Sequence, residues 1–533
     1  LTTKELRLTE KCHCLKINQL EIALTAGLSA DCNNKYMQDG FKPKPGNRVF
    51  RPRRIIKHRL KRVLGVAGLF SAGYGDVGSS IYYALGIVAV VALGATPVAL
   101  AIAGIIYVFN ALTYAEGGAM LPEAGGSASF GRHAYNDMVG FVAGWALMLS
   151  YIVTMAISAY TIPPYLAYFW PPLGNPVIGT AASMGIIVFL MIINVLGIRE
   201  SSRLNIIFIV LDITTQLTLV VLGAILILGP NPGVLFENMF GEGNWPTMRN
   251  LVFGIAIAAL CFTGVETVSQ LAEETRQAEK RVPRAYVLMI VAVLVLFAGI
   301  SIVALSAMTP QLLGDPVGGW ARDPVAGIAA NLPSETLQSI FAPLVALLAA
   351  SILLTASNAG LMGISRLSYN LASHNQLPAV FGRIHQRFRT PHWAIIFFSV
   401  LSLIILVPGF FNSGFFTDLG ALYVFGSLLC FALAHLAILG LRLKFPEMPR
   451  PFKPPLTIRF KGKELPLTAI IGLIATLTIW VVVIVTQPFS RWAGIIWMVI
   501  GLVVFYFYRR SKGMSLLHAG KKSEELFYQK NKS

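Results

Sequence analysis

Charge is what this chain has least of. Only 13% of its 533 residues are Asp, Glu, Lys or Arg, about half the share of an ordinary soluble domain. That shortage excludes a solvated globular body of this length. Cysteine is scarce too, and the five are scattered: Cys12, Cys14, Cys32, Cys261 and Cys430. No disulfide framework is expected from them. The pair in "KCHC" (11–14) has no second Cys/His pair at zinc spacing, so no transition-metal site is expected either. A cleavable signal peptide is not visible, because no compact apolar core is followed by a small-residue cleavage site. No catalytic motif is present, so neither an enzyme nor an organic cofactor is expected.

What the chain has in excess is apolar residues, at 55%. They gather into runs of about 20, the length that crosses a bilayer. About twelve spanning helices are predicted. Their cores lie at 64–92, 97–121, 139–162, 176–197, 204–229, 249–272, 285–308, 337–361, 392–411, 417–441, 466–486 and 490–508. A short amphipathic outer segment is expected at 322–336. The expected fold class is an all-α polytopic membrane protein, with the lipid bilayer as its first partner.

The formal net charge is +18, which invites a nucleic-acid reading. The placement of the charge excludes it. Lys and Arg sit in the tails and in alternate loops, as the positive-inside rule requires. Arg51, Arg53, Arg54, Lys57, Arg59, Lys61 and Arg62 precede span 1. Arg199 and Arg203 follow span 4, and Arg276, Lys280, Arg281 and Arg284 follow span 6. Arg366, Arg383, Arg387 and Arg389 lie between spans 8 and 9, and seven more between spans 10 and 11. The loops 163–175 and 412–416 carry none. Both termini are therefore expected in the cytoplasm, with the chain in the cell membrane. The first methionine is Met37. Residues 1–36 read as a disordered tail or an upstream extension, and 51–62 as a basic arm closing an N-terminal tail at 1–62. Residues 63–510 form the membrane domain, and 511–533 a C-terminal tail.

Two spans carry breaks. Span 1 contains "GYGDVGSSIYY" (73–83), and span 6 contains "CFTGVETVSQ" (261–270). Irregular backbone at membrane depth survives only where protein or a cavity surrounds it. Discontinuous helices at matching places in two halves point to a binding site between inverted repeats. Spans 1 and 6 are five apart, as a five-plus-five repeat requires, which leaves spans 11 and 12 as additions. A carboxylate at mid-bilayer costs roughly 3 kcal/mol on insertion scales. The glycines are expected to unwind span 1 so that carbonyls and Asp76 face a ligand whose positive charge offsets that cost.

Four stretches carry a resemblance. "YAEGGAMLPEAGGSASFGRHAYND" (114–137), "FTGVETVSQLAEETRQAEKRVPRA" (262–285), "RLSYNLASHNQLPAVFGRIHQRFRTPHWAI" (366–395) and "LRLKFPEMPRPFKPP" (441–455) resemble the amino acid–polyamine–organocation permeases over about residues 60–510. The resemblance implies the LeuT-type inverted-repeat fold and secondary active transport of an amino acid or amine, a small cationic or zwitterionic substrate. The coupling ion it implies is H+, Na+ or K+. Association as a homodimer stays open.

Span 1 departs from the amino acid permeases, which carry a Gly-rich stretch there without an acid. "DVGSSIYY" is similar instead to the Kup and KimA-type potassium importers of the same superfamily. That likeness implies Asp76, Ser79, Ser80 and Tyr83 as cation contacts, with Gly75 and Gly78 beside them. In span 3 it implies Tyr151, Thr154 and Ser158; in span 6, Thr263 and Gly264; in span 10, Tyr423. The importers carry Asp where this chain has Ser150. A potassium importer is thus the alternative reading. Asp212 in span 5 is a candidate for the coupling ion or for a buried, hydrogen-bonded acid; related permeases often carry Lys there. Glu116 and Glu266 are expected to be structural or gating residues.

Overall fold

A computed structural model describes residue 62 and residues 64–197, 202–412, 414–460 and 462–517. All belong to one compact unit. Of the tails expected at 1–62 and 511–533, residues 1–61 and 518–533 lie outside the described residues, as does Arg199.

Long apolar helices dominate. Eleven helical runs among the described residues are long and apolar enough to cross a membrane. The first, Val66–Met120, is 55 residues long. At about 1.5 Å per residue it would measure roughly 80 Å, far beyond the ~30 Å hydrocarbon layer. It reverses at Leu93–Ala95, where Leu93 takes φ 45°, and so makes two passes. Twelve spans result, each close to its expected core. Span 8 runs farther than the apolar core predicts, over Glu335–Ser373.

Local chemistry fixes several ends. Asn136 Oδ1 accepts the Val139 N–H at 2.9 Å at the start of span 3 (Asp137–Leu166). Span 4 (Pro176–Leu196) opens with proline at its first position and the Asn175 side chain as cap. Both devices satisfy or remove N–H groups that have no partner inside the helix.

Burial sorts the spans. In span 3, 94% of the apolar window is buried, against 22% in span 12 (Pro488–Ser511). Span 3 is the central post, with span 8 and span 10 (Phe415–Lys444) packed along it. Spans 11 (Leu467–Thr486) and 12 lean on span 10 from outside.

Two loops carry local structure. Within the segment expected to be amphipathic at 322–336, a short helix, Pro324–Ala330, buries Val325, Ile328 and Ala329 against spans 1, 7 and 8. Between spans 10 and 11 the chain forms a small antiparallel hairpin, β1 (Thr457–Phe460) with β2 (Lys463–Pro466). Gly462 turns it at φ 77°.

Candidate functional site

Span 6 is broken in full. Its helix runs Met248–Ala258, tightens over Ala259–Phe262, and opens at Thr263 with φ −78° and ψ 159°. Gly264 follows at φ 93°, a conformation that glycine adopts without steric cost. The helix resumes only as Thr267–Gln270.

Span 1 differs from expectation. It is tightened, not unwound: a helix over Val66–Val77, a three-residue 3-10 turn at Gly78–Ser80, then a helix over Ile81–Ala92. Gly78 keeps right-handed helical angles. The expected opening of carbonyls at Gly75 and Gly78 is therefore absent. Close approach explains two of the glycines instead: a Cβ on Gly73 would strike Met289 and Val268, and one on Gly78 would stand 2.6 Å from the Tyr74 ring, whereas one on Gly75 would make only an ordinary contact with Ile209 at 3.5 Å.

Asp76 joins span 1, just before its tightened turn, to the break in span 6. Its Oδ2 accepts the Thr267 hydroxyl at 2.5 Å. A Cβ on Gly264 would stand 2.7 Å from the Asp76 Cγ, so the absent side chain there makes room for the carboxyl. The Asp76 Oδ1 is buried with no hydrogen-bond partner. Among the described residues no ion pair reaches Asp76, Asp212 or Glu266. Glu266, two residues past Gly264, is 1% exposed and also leaves one carboxyl oxygen, Oε2, without a partner.

Three buried phenols are electrostatic neighbours of this pair. Tyr423 feels the charges of Asp76 and Glu266. Tyr151 is in range of Asp76, Glu266 and Tyr423, and its hydroxyl has no partner. The hydroxyls of Tyr83 and Ser80 are 3.1 Å apart. Spans 1, 3, 6 and 10 thus bring Asp76, Ser80, Tyr83, Tyr151, Glu266 and Tyr423 into one buried neighbourhood.

Other expected contacts turn inward on their own helices. Ser79 donates to the Asp76 carbonyl at 2.8 Å, Thr154 to that of Ser150 at 2.9 Å, and Thr263 to that of Leu260 at 2.8 Å. Such back-bonds are the common use of hydroxyls in membrane helices. Ser158 is buried with its hydroxyl unpartnered. Ser150, where the importers carry Asp, faces span 10: its hydroxyl is 3.0 Å from that of Ser427.

Two further acids lie outside the cluster. Glu116, near the end of span 2 (Thr96–Met120), accepts from Arg442 Nε at 2.7 Å. Arg450 Nε stands 3.6 Å from the same oxygen. Glu116 and Arg442 are both nearly inaccessible, so this is a buried ion pair between the ends of spans 2 and 10. Asp212, in span 5 (Ser202–Gly223), accepts from Tyr82 at 2.5 Å, Tyr74 at 3.2 Å and Gln216 at 2.8 Å. It sits in the place of a hydrogen-bonded bundle acid.

Reasoning from sequence missed Thr267, Tyr74, Tyr82 and Gln216. Thr267 and the tyrosines stand inside the two singled-out stretches, and Gln216 lies one turn from Asp212. Nothing local marks which of them meets an acid from another span.

The amino acid permease family profile matches residues 64–505. The branched-chain amino acid permease BcaP of Bacillus subtilis is 25% identical over 475 residues, covering 85% of this chain and 94% of that protein. The methylthioribose transporter of the same organism is 26% identical, covering 85% and 95%. The human cystine/glutamate transporter is 25% identical, covering 67% and 68%.

Proposed function

We propose, since the chain belongs to the amino acid permease family, that it carries an amino acid or a related amine across the membrane, with the ammonium group held at Asp76. The relatives are transporters, but they bear different substrate names at nearly equal identity, so the substrate must be argued from the site. The observation that supports this reading is the free Asp76 Oδ1, buried at the break in span 6 with no ion pair. An isolated charge in low dielectric is unstable and seeks a counter-charge. A substrate ammonium provides one, and its N–H groups suit the carboxyl oxygen and the phenols of Tyr83, Tyr151 and Tyr423. The backbone at Thr263–Gly264 has left its helix, with the Thr263 N–H held by the Leu260 carbonyl and the Gly264 carbonyl accepting from the Thr267 N–H, and discontinuous membrane helices of this kind line substrate sites. Coupling to H+ or Na+ fits a carrier that concentrates its substrate.

The potassium reading draws less support. Potassium needs several oxygen ligands at once. The carboxylate that the importers carry in span 3 is replaced here by Ser150, whose hydroxyl lies 3.0 Å from that of Ser427 on span 10. The test is uptake into proteoliposomes of a panel of labelled amino acids and amines, with rubidium alongside. Saturable uptake of at least one organic compound, with no rubidium uptake, is expected. Rubidium uptake without organic uptake refutes the reading.

A further inference from the structure

The two halves of span 1 meet at a weak joint. Three residues of 3-10 helix, Gly78–Ser80, separate them, and such turns have poorer hydrogen-bond geometry than the α-helix on either side. Tyr74 belongs to the first half and Tyr82 to the second. Their hydroxyls donate to the same carboxylate, Tyr74 to Asp212 Oδ2 and Tyr82 to Asp212 Oδ1. We propose that Asp212 is a positioning residue that ties the halves of span 1 across this turn and thereby sets the direction of Asp76.

The surrounding contacts fit a built tie. Gln216, one turn along span 5, donates to Oδ2 at 2.8 Å and fixes the carboxylate's rotation. The Tyr74 ring reaches Asp212 by lying across Gly78, where any Cβ would obstruct it. On the other side, Tyr165 of span 3 donates to the Tyr82 carbonyl at 2.8 Å and holds the start of the second half. Asp76 is two residues beyond Tyr74, about 200° around a helix. The tie to span 5 therefore grips one face while Asp76 is presented on the opposite face, toward Thr267 of span 6. A carboxylate suits the task because it offers an acceptor oxygen to each phenol, whereas an amide offers one acceptor and one donor.

The tie is independent of which substrate is carried. It rests on the proposed site only for its consequence at Asp76, so it is tested without substrate. The full chain is placed in lipid nanodiscs, and hydrogen exchange is followed in peptides covering 74–84 and, as reference, 147–157 of span 3. Asp212→Asn, Tyr74→Phe and Tyr82→Phe are compared with wild type. Each is expected to raise exchange at 78–82 by about tenfold, with span 3 unchanged, because local opening tracks the interactions that hold a segment. Asp212→Glu keeps both acceptor oxygens and is expected to stay within about threefold of wild type. The phenylalanine variants keep the ring packing, so the test stands even if Asp212→Asn misfolds. Unchanged exchange at 78–82 in the phenylalanine variants overturns the proposal. So does an equal rise in span 3, since the acid then holds the whole bundle and not one joint. Loss of uptake in Asp76→Asn with wild-type exchange at 78–82 would separate the site from the tie.

Discussion

At the scale of single residues, Asp76 and Gly264 depend on each other. Asp76→Asn keeps the shape and can still accept from Thr267, but it removes the charge. A hydrogen bond to a charged group is worth about 1.5–3 kcal/mol. Uptake at sub-saturating substrate should therefore fall roughly 10–100-fold, while expression and melting temperature hold, because no ion pair is broken. Wild-type uptake in the variant would remove Asp76 from the site. Gly264→Ala fails for two reasons, the φ of 93° and the crowding of Asp76. Backbone strain of this kind costs about 1–3 kcal/mol, and displacement of the carboxyl comes in addition. Lower thermal stability together with lost uptake is expected; retention of both would show that the break tolerates a side chain. Asp76 and the Gly264 break were legible in the sequence because a bare acid and a Gly beside polar residues are conspicuous in an apolar run. Thr267, Tyr74 and Tyr82 were not, since a hydroxyl in a membrane helix reads the same whether it bonds its own carbonyl or a distant acid.

At the scale of elements, span 1 and span 6 solve different problems with similar composition. Span 6 loses its helix because Thr263 and Gly264 leave helical angles. Span 1 keeps its helix, with Gly73 filled against Val268 and Met289 and Gly78 against Tyr74. Glycine content alone marks close approach or unwinding without distinguishing them, so the expected unwinding of span 1 could not have been tested from sequence. The hairpin at 457–466 was hidden for another reason: it is short, charged, and lies in a loop whose role in the topology depended only on its Lys and Arg. The Glu116–Arg442 pair gives a prediction at this scale. Removing one partner of a buried pair costs about 3–5 kcal/mol when the other charge is left alone, and less here, where Glu464 stands 3.6 Å from Arg442 and Arg450 3.6 Å from Glu116. Glu116→Gln should lower the melting temperature of the purified protein clearly, and adding Arg442→Gln should recover part of the loss. If the double variant is as unstable as the sum of the two single ones, the residues do not act as a pair.

At the scale of the whole molecule, the twelve spans among the described residues bring spans 1, 3, 6 and 10 together at the candidate site. The number and order of spans were readable because hydropathy is summed over about 20 residues and tolerates local error. The centrality of span 3 was not readable, because an apolar span facing protein and one facing lipid differ little in composition. The account rests on one claim, that Asp76 receives the positive group of the substrate. The most direct measurement uses whichever labelled amino acid is best transported and challenges it with two analogues. One keeps the amine and lacks the carboxylate; the other keeps the carboxylate and lacks the amine. In wild-type proteoliposomes the amine should inhibit uptake and the deaminated acid should not. In Asp76→Asn, measured by binding where uptake is too low, the advantage of the amine should disappear. Equal inhibition by both analogues in wild type, or an amine preference that survives in Asp76→Asn, would contradict the account.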